Sequence, residues 1–322
     1  MAAVTTNPPA DPPIIRARGL VKRYGANTVL GGADIDISHG VTGLLGANGT
    51  GKTTLIGMVL GLHRPDAASL SVLGLDPVSA GATVRERVGY APEHHNLPGD
   101  LSAYDFVRHV AEIHGLPRKE AINRASDMLW QVGLGEERLR PLGTMSTGQR
   151  QRVKLAAAIA HDPSLVLLDE PTDGLDPNQR EVMLALIHRI GNEFGIDIVV
   201  SSHLLEEVER ICSRVVILAA GDVAASGSLE ELAGAAAGVQ IDLDDRVEEV
   251  AALLHQAGVH VEVTGSRIVA SSTLLAEPGL YDAARDALAQ SGASLRRLGP
   301  RRTSLEDVFL EIGRRGAQVG AR

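Results

Sequence analysis

The chain has 322 residues, 44% hydrophobic and 22% charged, a globular composition that excludes wholesale disorder and collagen-like structure. Its 31 basic and 40 acidic residues give a formal charge of -9, which argues against a general nucleic-acid binder. The single cysteine, Cys212, excludes an internal disulfide and any multi-cysteine zinc site.

At about 150 residues per domain, the length predicts roughly two domains, or one large domain with an appendage. Residues 1 to 13 (MAAVTTNPPADPP) lack the basic-then-apolar order of a secretory signal and read as a disordered tail. Ordered sequence is expected from near Ile14. Val41 to Leu45 is a short apolar run, followed by a glycine-rich turn and by helical spacing from Lys52 to Gly61. Strand candidates follow at Val88 to Ala91, Leu165 to Leu168, Ile196 to Val200 and Val215 to Leu218. Strands apolar on both faces, interspersed with helices, predict a mainly parallel sheet covered by helices. Between about 100 and 160 the pattern is helical only: Ser102 opens an S-x-x-D start signal, and residues 119 to 132 and 146 to 160 have helical spacing. This stretch reads as a helical insertion.

Composition shifts near 228 to 239 (SLEELAGAAAGV). Beyond it VQIDLD, VHVEV, SRIVAS and SLRRL read as strands, and VEEVAALLHQAG and LYDAARDALAQSG as helices. The order β-α-β-β-α-β predicts a small ferredoxin-like α+β domain. A short amphipathic helix, TSLEDVFLEIG, capped by Thr303 or Ser304, is expected to close the chain. No run of about 18 apolar residues occurs, so no bilayer span is expected.

The strongest chemical signal is GANGTGKT, Gly46 to Thr53, which fits G-x-x-x-x-G-K-[ST] between a predicted strand and helix. Glycines let successive backbone N–H groups turn inward around phosphate oxygens, and the helix N-terminus adds its dipole. Lys52 supplies a charge for the β- and γ-phosphates, and Thr53 a hydroxyl for Mg²⁺. The second signal is LVLLDEP, Leu165 to Pro171, an apolar strand ending in two carboxylates. Asp169 suits Mg²⁺, directly or through water, and Glu170 suits orienting or deprotonating an attacking water. Together the two signals indicate an α/β P-loop nucleotide hydrolase. His94 and His95 are metal ligands by type, but with no third ligand at fitting spacing they read as exposed loop residues.

The stretch MSTGQRQRVKLAAAIAHDPSLVLLDEPTDGLDP, residues 145 to 177, resembles the ATP-binding subunits of ABC transporters, and the likeness covers roughly residues 14 to 227. The resemblance implies a P-loop fold of ABC ATPase type with the helical insertion at about 100–160, and an accessory domain at 228–322. It implies that Tyr24 stacks on adenine and that Gly46, Ala47, Asn48, Gly49, Thr50, Gly51, Lys52, Thr53 and Thr54 hold the phosphates. Ser146, Gly148 and Gln149 match the family signature, usually LSGGQ, from which Met145 and Thr147 depart. Asp176 matches a loop that joins two subunits, and His203 a histidine that senses the γ-phosphate. Glu93 stands where the family usually has Gln; a carboxylate there can still contact Mg²⁺ or the attacking water, and the alternative is a solvated acid at a turn.

The same resemblance implies an ATPase using ATP and Mg²⁺, with Glu170, His203 and Lys52 in the catalytic roles and Thr53, Asp169 and Glu93 toward the metal. Two copies are expected to pair head to tail, Ser146, Gly148 and Gln149 serving the partner's nucleotide. A separately encoded integral membrane permease is the expected partner, which places the chain on the cytoplasmic face of the membrane. The tail resembles subunits of the drug-resistance exporter type. The alternative is a soluble ABC ATPase acting on the ribosome or DNA. Against it stand the single set of motifs and the absence of a coiled-coil or zinc insertion between phosphate loop and signature.

Overall fold

The computed structural model describes residues 12–94, 96–235, 238–272 and 277–300. The expected tail up to residue 11, His95 and the expected closing helix lie outside them. The chain divides into two compact units, the first ending at Ser228 and the second beginning at Leu229.

The first unit contains a six-stranded sheet. Its members are β3 (Val41–Leu45), β5 (Val88–Ala91), β6 (Leu165–Asp169), β7 (Asp197–Ser202), β8 (Arg214–Ala219) and β9 (Asp222–Ser228), in the order β5-β6-β7-β3-β8-β9. The first five run parallel, and β9 joins β8 antiparallel. All five residues of β3 and of β6 are buried, as a central strand covered on both faces requires. Parallel pairing puts strand carboxyl ends on one edge, where ligands bind in such sheets. Four neighbouring strands, β5-β6-β7-β3, therefore deliver the segments after residues 91, 169, 202 and 45 side by side.

A second sheet of three antiparallel strands, ordered β2-β1-β4, was not foreseen: β1 is Ile15–Tyr24, β2 Asn27–Ile37 and β4 Ala67–Val72. Irregular pairing blurs its alternation, with register shifts on both sides of Leu20 and beside Gly19, which sits at φ +59°. A tight turn at Gly25 (φ +61°) sets Tyr24 opposite Asn27 at the hairpin tip. Its apolar residues, among them Ile15, Leu20, Leu30, Ile35 and Val72, join Leu44, Ile56 and Met58 in one core.

Helices α1 (Lys52–Val59) and α2 (Gly81–Arg87) come before the insertion, which holds α3 (Ala103–Ile113), α4 (Arg118–Gln131) and α5 (Thr147–Ile159). Ser102 caps α3, its hydroxyl accepting from Asp105 N–H, and Ser146 caps α5 in a reciprocal box with Gln149. α6 (Pro177–Glu193) starts at Asp176, whose carboxylate accepts from Gln179 N–H at 2.9 Å. α7 (Leu205–Ile211) follows β7.

The second unit begins with α8 (Leu229–Ala235). Then come β10 (Gly238–Leu243), α9 (Val247–Gln256), β11 (His260–Thr264), β12 (Arg267–Ser271), α10 (Glu277–Ser291) and β13 (Leu295–Pro300). The sheet order β11-β12-β10-β13 is antiparallel throughout. This is the split β-α-β arrangement. Val239, Ile241, Leu243, Val250, Leu254, Ile268 and Ala284 form its core.

Candidate functional site

A cleft of about 680 Å³ opens at the carboxyl edge of the six-stranded sheet. Its wall includes Tyr24 from the hairpin tip, Asn48, Gly49, Gly51, Lys52, Thr53 and Thr54 from the turn after β3, Glu93 after β5, Glu170 after β6 and His203 after β7. Four strand ends that are neighbours in the sheet thus converge on one space.

Close approach explains the glycines of the turn. A Cβ at position 46 would lie 2.4 Å from Thr50 Oγ1 and 2.7 Å from the Leu218 carbonyl oxygen, and Gly51 sits at φ +106°. Thr50 N–H and Oγ1 both donate to Ala47 O, closing the loop at 3.2 and 2.9 Å. No side chain caps α1, so the first N–H groups of this helix are free of a protein cap and suited to anionic oxygens.

Lys52 is buried. Its Nζ donates to Gly46 O at 2.6 Å and lies 3.3 Å from Glu170 Oε1. Glu170 Oε2 is 2.9 Å from His203 Nδ1. The Glu170 backbone sits at φ +46°, a left-handed conformation that disfavours side chains and recurs at functional sites. Ser201 fixes both acids: its hydroxyl donates to Asp169 Oδ1 at 2.6 Å and accepts from Glu170 N–H at 2.9 Å.

Tyr24 is 48% exposed, so its ring face is available. The Lys22 ammonium sits 5.3 Å from the ring centroid, and the His63 ring stands perpendicular at 6.3 Å. Behind the cleft, burial pushes the Tyr90 hydroxyl up to about 12, with Asp169 and Glu93 adding to the shift. Burial also holds the Lys154 ammonium down at about 8, although Asp169, Glu93 and Asp173 oppose that shift.

The donor set fits Mg²⁺. Asp169 is buried and its Oδ2 has no hydrogen-bond partner among the described residues, while Thr53 and Glu93 line the cleft with further oxygens. Among the described residues no group of three or more His, Cys, Asp or Glu side chains is poised for a metal. An ion held by one or two carboxylates completes its shell with phosphate oxygens and water, as Mg²⁺ does.

Ser146, Gly148 and Gln149 do not line this cleft. They form the start of α5, where Ser146 is exposed and Gly148 is buried, packed so close to α6 that a Cβ there would meet Gln179 Oε1 at 2.6 Å. Gly46, Ala47, Thr50 and Asp169 do not line the cleft; Gly46 and Asp169 are buried, Thr50 is half-buried and Ala47 is exposed. His94 is exposed.

Three polar residues escaped sequence reasoning. Ser201 is one. Glu207 is the second: buried on α7, it accepts from Thr172 Oγ1 at 2.8 Å and Ser202 Oγ at 2.9 Å, with Arg180 Nε at 3.3 Å. The third is Lys154, whose ammonium donates to the carbonyls of Pro92 and Glu93. The available signal was polarity inside apolar helix faces, at the fourth residue past His203 and the eighth past Ser146.

Residues 30–173 match the family described as ABC transporter. The linearmycin resistance ATP-binding protein of Bacillus subtilis is 34% identical over 220 residues, covering 68% of this chain and 70% of that protein. The daunorubicin resistance ATP-binding protein DrrA3 of Streptomyces coeruleorubidus is 33% identical over 304 residues, covering 92% and 95%. Among solved structures, cbiO1 of Clostridium perfringens, part of the ABC transporter complex cbiONQ, superposes with a TM-score of 0.63 at 27% identity over 69% of this chain and 91% of that one.

Proposed function

This chain belongs to the ABC transporter family as an ATP-binding subunit with ATPase activity, and we propose that it powers export through a membrane subunit carried on a separate polypeptide. Two relatives named for antibiotic resistance support the outward direction. No helix among the described residues is long and apolar enough to cross a membrane, and in this reading the transmembrane path belongs to the partner. The chain would then work at the cytoplasmic face, with residues 14–227 as the ATP-binding domain and 228–322 as an accessory domain.

The observation that carries the reading is the convergence of Lys52, Glu170 and His203 in the cleft that Tyr24 borders. Tyr24 offers its exposed face to adenine. The loop from Gly46 to Thr54 turns N–H groups toward the phosphates, and Lys52 exchanges its carboxylate partner for phosphate oxygens. Thr53, Asp169 and Glu93 would hold Mg²⁺, which neutralises developing phosphate charge when bound. Glu170, released from Lys52, orients a water for in-line attack and accepts its proton as the bond to the leaving ADP oxygen breaks. His203 keeps Glu170 turned toward that position through its 2.9 Å contact.

Ser146, Gly148 and Gln149 sit outside this cleft, so we assign them to the nucleotide of a second copy. Their helix start, like that of α1, favours anionic oxygens. ATP then bridges two chains, and hydrolysis removes the bridge.

The test is affinity purification of the tagged full chain from gently solubilised membranes. Recovery of a polytopic membrane protein in stoichiometric amount supports the reading. Recovery of ribosomes or DNA, with no membrane protein, overturns it.

A further inference from the structure

α5 begins at the Ser146 cap and carries Lys154 on its interior side, 3% exposed. The ammonium donates to Pro92 O at 2.5 Å and to Glu93 O at 3.1 Å. Those carbonyls lie more than 60 residues earlier in the chain, in the turn that leaves β5 and places Glu93 in the cleft wall. The turn has no strand partner past Ala91, where the pairing of β5 with β6 ends.

An apolar side chain of similar length would fill the same volume without desolvating a charge. What the lysine alone supplies is two charge-assisted bonds to one turn. It also sets a positive charge beside Asp169, Glu93 and Asp173, and so offsets the charge that a carboxylate at position 93 adds. A packed helix moves as a rigid element, so the signature end of α5 and the Glu93 turn become mechanically one piece.

We propose that Lys154 is a positioning residue: it ties the Pro92–Glu93 turn to α5, so that Glu93 faces the cleft and follows any movement of the helix capped by Ser146. The kinetic part rests on the reading of the cleft as the ATPase site; the structural part does not.

The first arm of the test is peptide-resolved hydrogen exchange on the full, nucleotide-free chain. Lys154→Met raises exchange in the β5 peptide that runs into the turn, Val88 to Ala91, about tenfold while β7 stays protected. Lys154→Arg, which keeps a donor, stays within about twofold of the parent. The second arm is ATP turnover. Lys154→Met lowers kcat about tenfold with KM changed less than about twofold, and in a Glu93→Ala background the same substitution costs less than about twofold. Unchanged exchange in the β5 peptide, or the same tenfold loss in both backgrounds, overturns the proposal. Should Lys154→Met fail to fold, Lys154→Leu, which is apolar and donates nothing, takes its place with the same expected order. A parent chain with no turnover would contradict the ATPase reading alone, and the exchange arm would still decide the role of Lys154.

Discussion

Lys52 and Glu170 form a buried ion pair, Nζ lying 3.3 Å from Oε1 with both side chains less than a tenth exposed. The phosphate-loop cation and the carboxylate after β6 neutralise each other when no triphosphate lies between them. Neither charge could be buried alone without a large desolvation cost. The pair therefore stores the site in a closed electrostatic state, which incoming phosphate oxygens must open by taking Lys52 for themselves.

Tyr24 gives a prediction free of folding effects. Its ring is half exposed and belongs to no core. Tyr24→Ala weakens ATP binding by about 1–2 kcal/mol, the scale of one base–aromatic stack. Tyr24→Phe binds like the parent. Calorimetric titration reads both, and denaturant unfolding of either variant is unchanged.

Glu207 joins three segments: Thr172 past Glu170, Ser202 just before His203, and Arg180 in the helix after Asp176. Glu207→Ala leaves two buried hydroxyls without their acceptor and the Arg180 guanidinium without its ion-pair partner. Stability falls by about 2–4 kcal/mol and turnover falls with it, because His203 loses its anchored strand end. Glu207→Gln keeps an acceptor oxygen and costs less than half as much. Urea unfolding and ATP turnover on the two variants check the order.

Much of the first unit was legible because its segments speak locally. Val41–Leu45 and Leu165–Asp169 are mainly apolar and buried along their whole length, a pattern that a covered strand needs, and Ser102 caps its helix as the S-x-x-D signal predicts. The three-stranded sheet was not legible. Bulges around Leu20 break its alternation, and its exposed face carries Arg16, Arg18 and Asp36, which pair across strands. In the cleft, backbone-encoded parts such as Gly46 to Thr53 showed in the sequence. Ser201, Lys154 and Glu207 did not, because their roles depend on partners tens of residues away or across the sheet.

His161 carries a pH dependence. Its buried ring stacks on His114 with centroids 3.8 Å apart. Burial, helped by His114, pushes it from 6.5 down to about 4. As pH falls, the unfolded chain takes up this proton first, so the contribution to stability is whole above 6.5 and is lost progressively toward 4. The full window amounts to about 3 kcal/mol. Urea midpoints at pH 7 and pH 5 drop for the parent, and His161→Phe removes part of that drop.

The most direct test of the central claim is ATP titration and turnover on Glu170→Gln beside the parent. The amide abolishes the ion pair and leaves Lys52 to the phosphates, so the variant should bind ATP about three- to tenfold more tightly while turnover falls at least about a hundredfold. Lys52→Ala, as the opposite control, should lose ATP binding. Unchanged affinity together with ordinary turnover in Glu170→Gln would contradict both the competition between Glu170 and phosphate for Lys52 and the assignment of Glu170 to the attacking water.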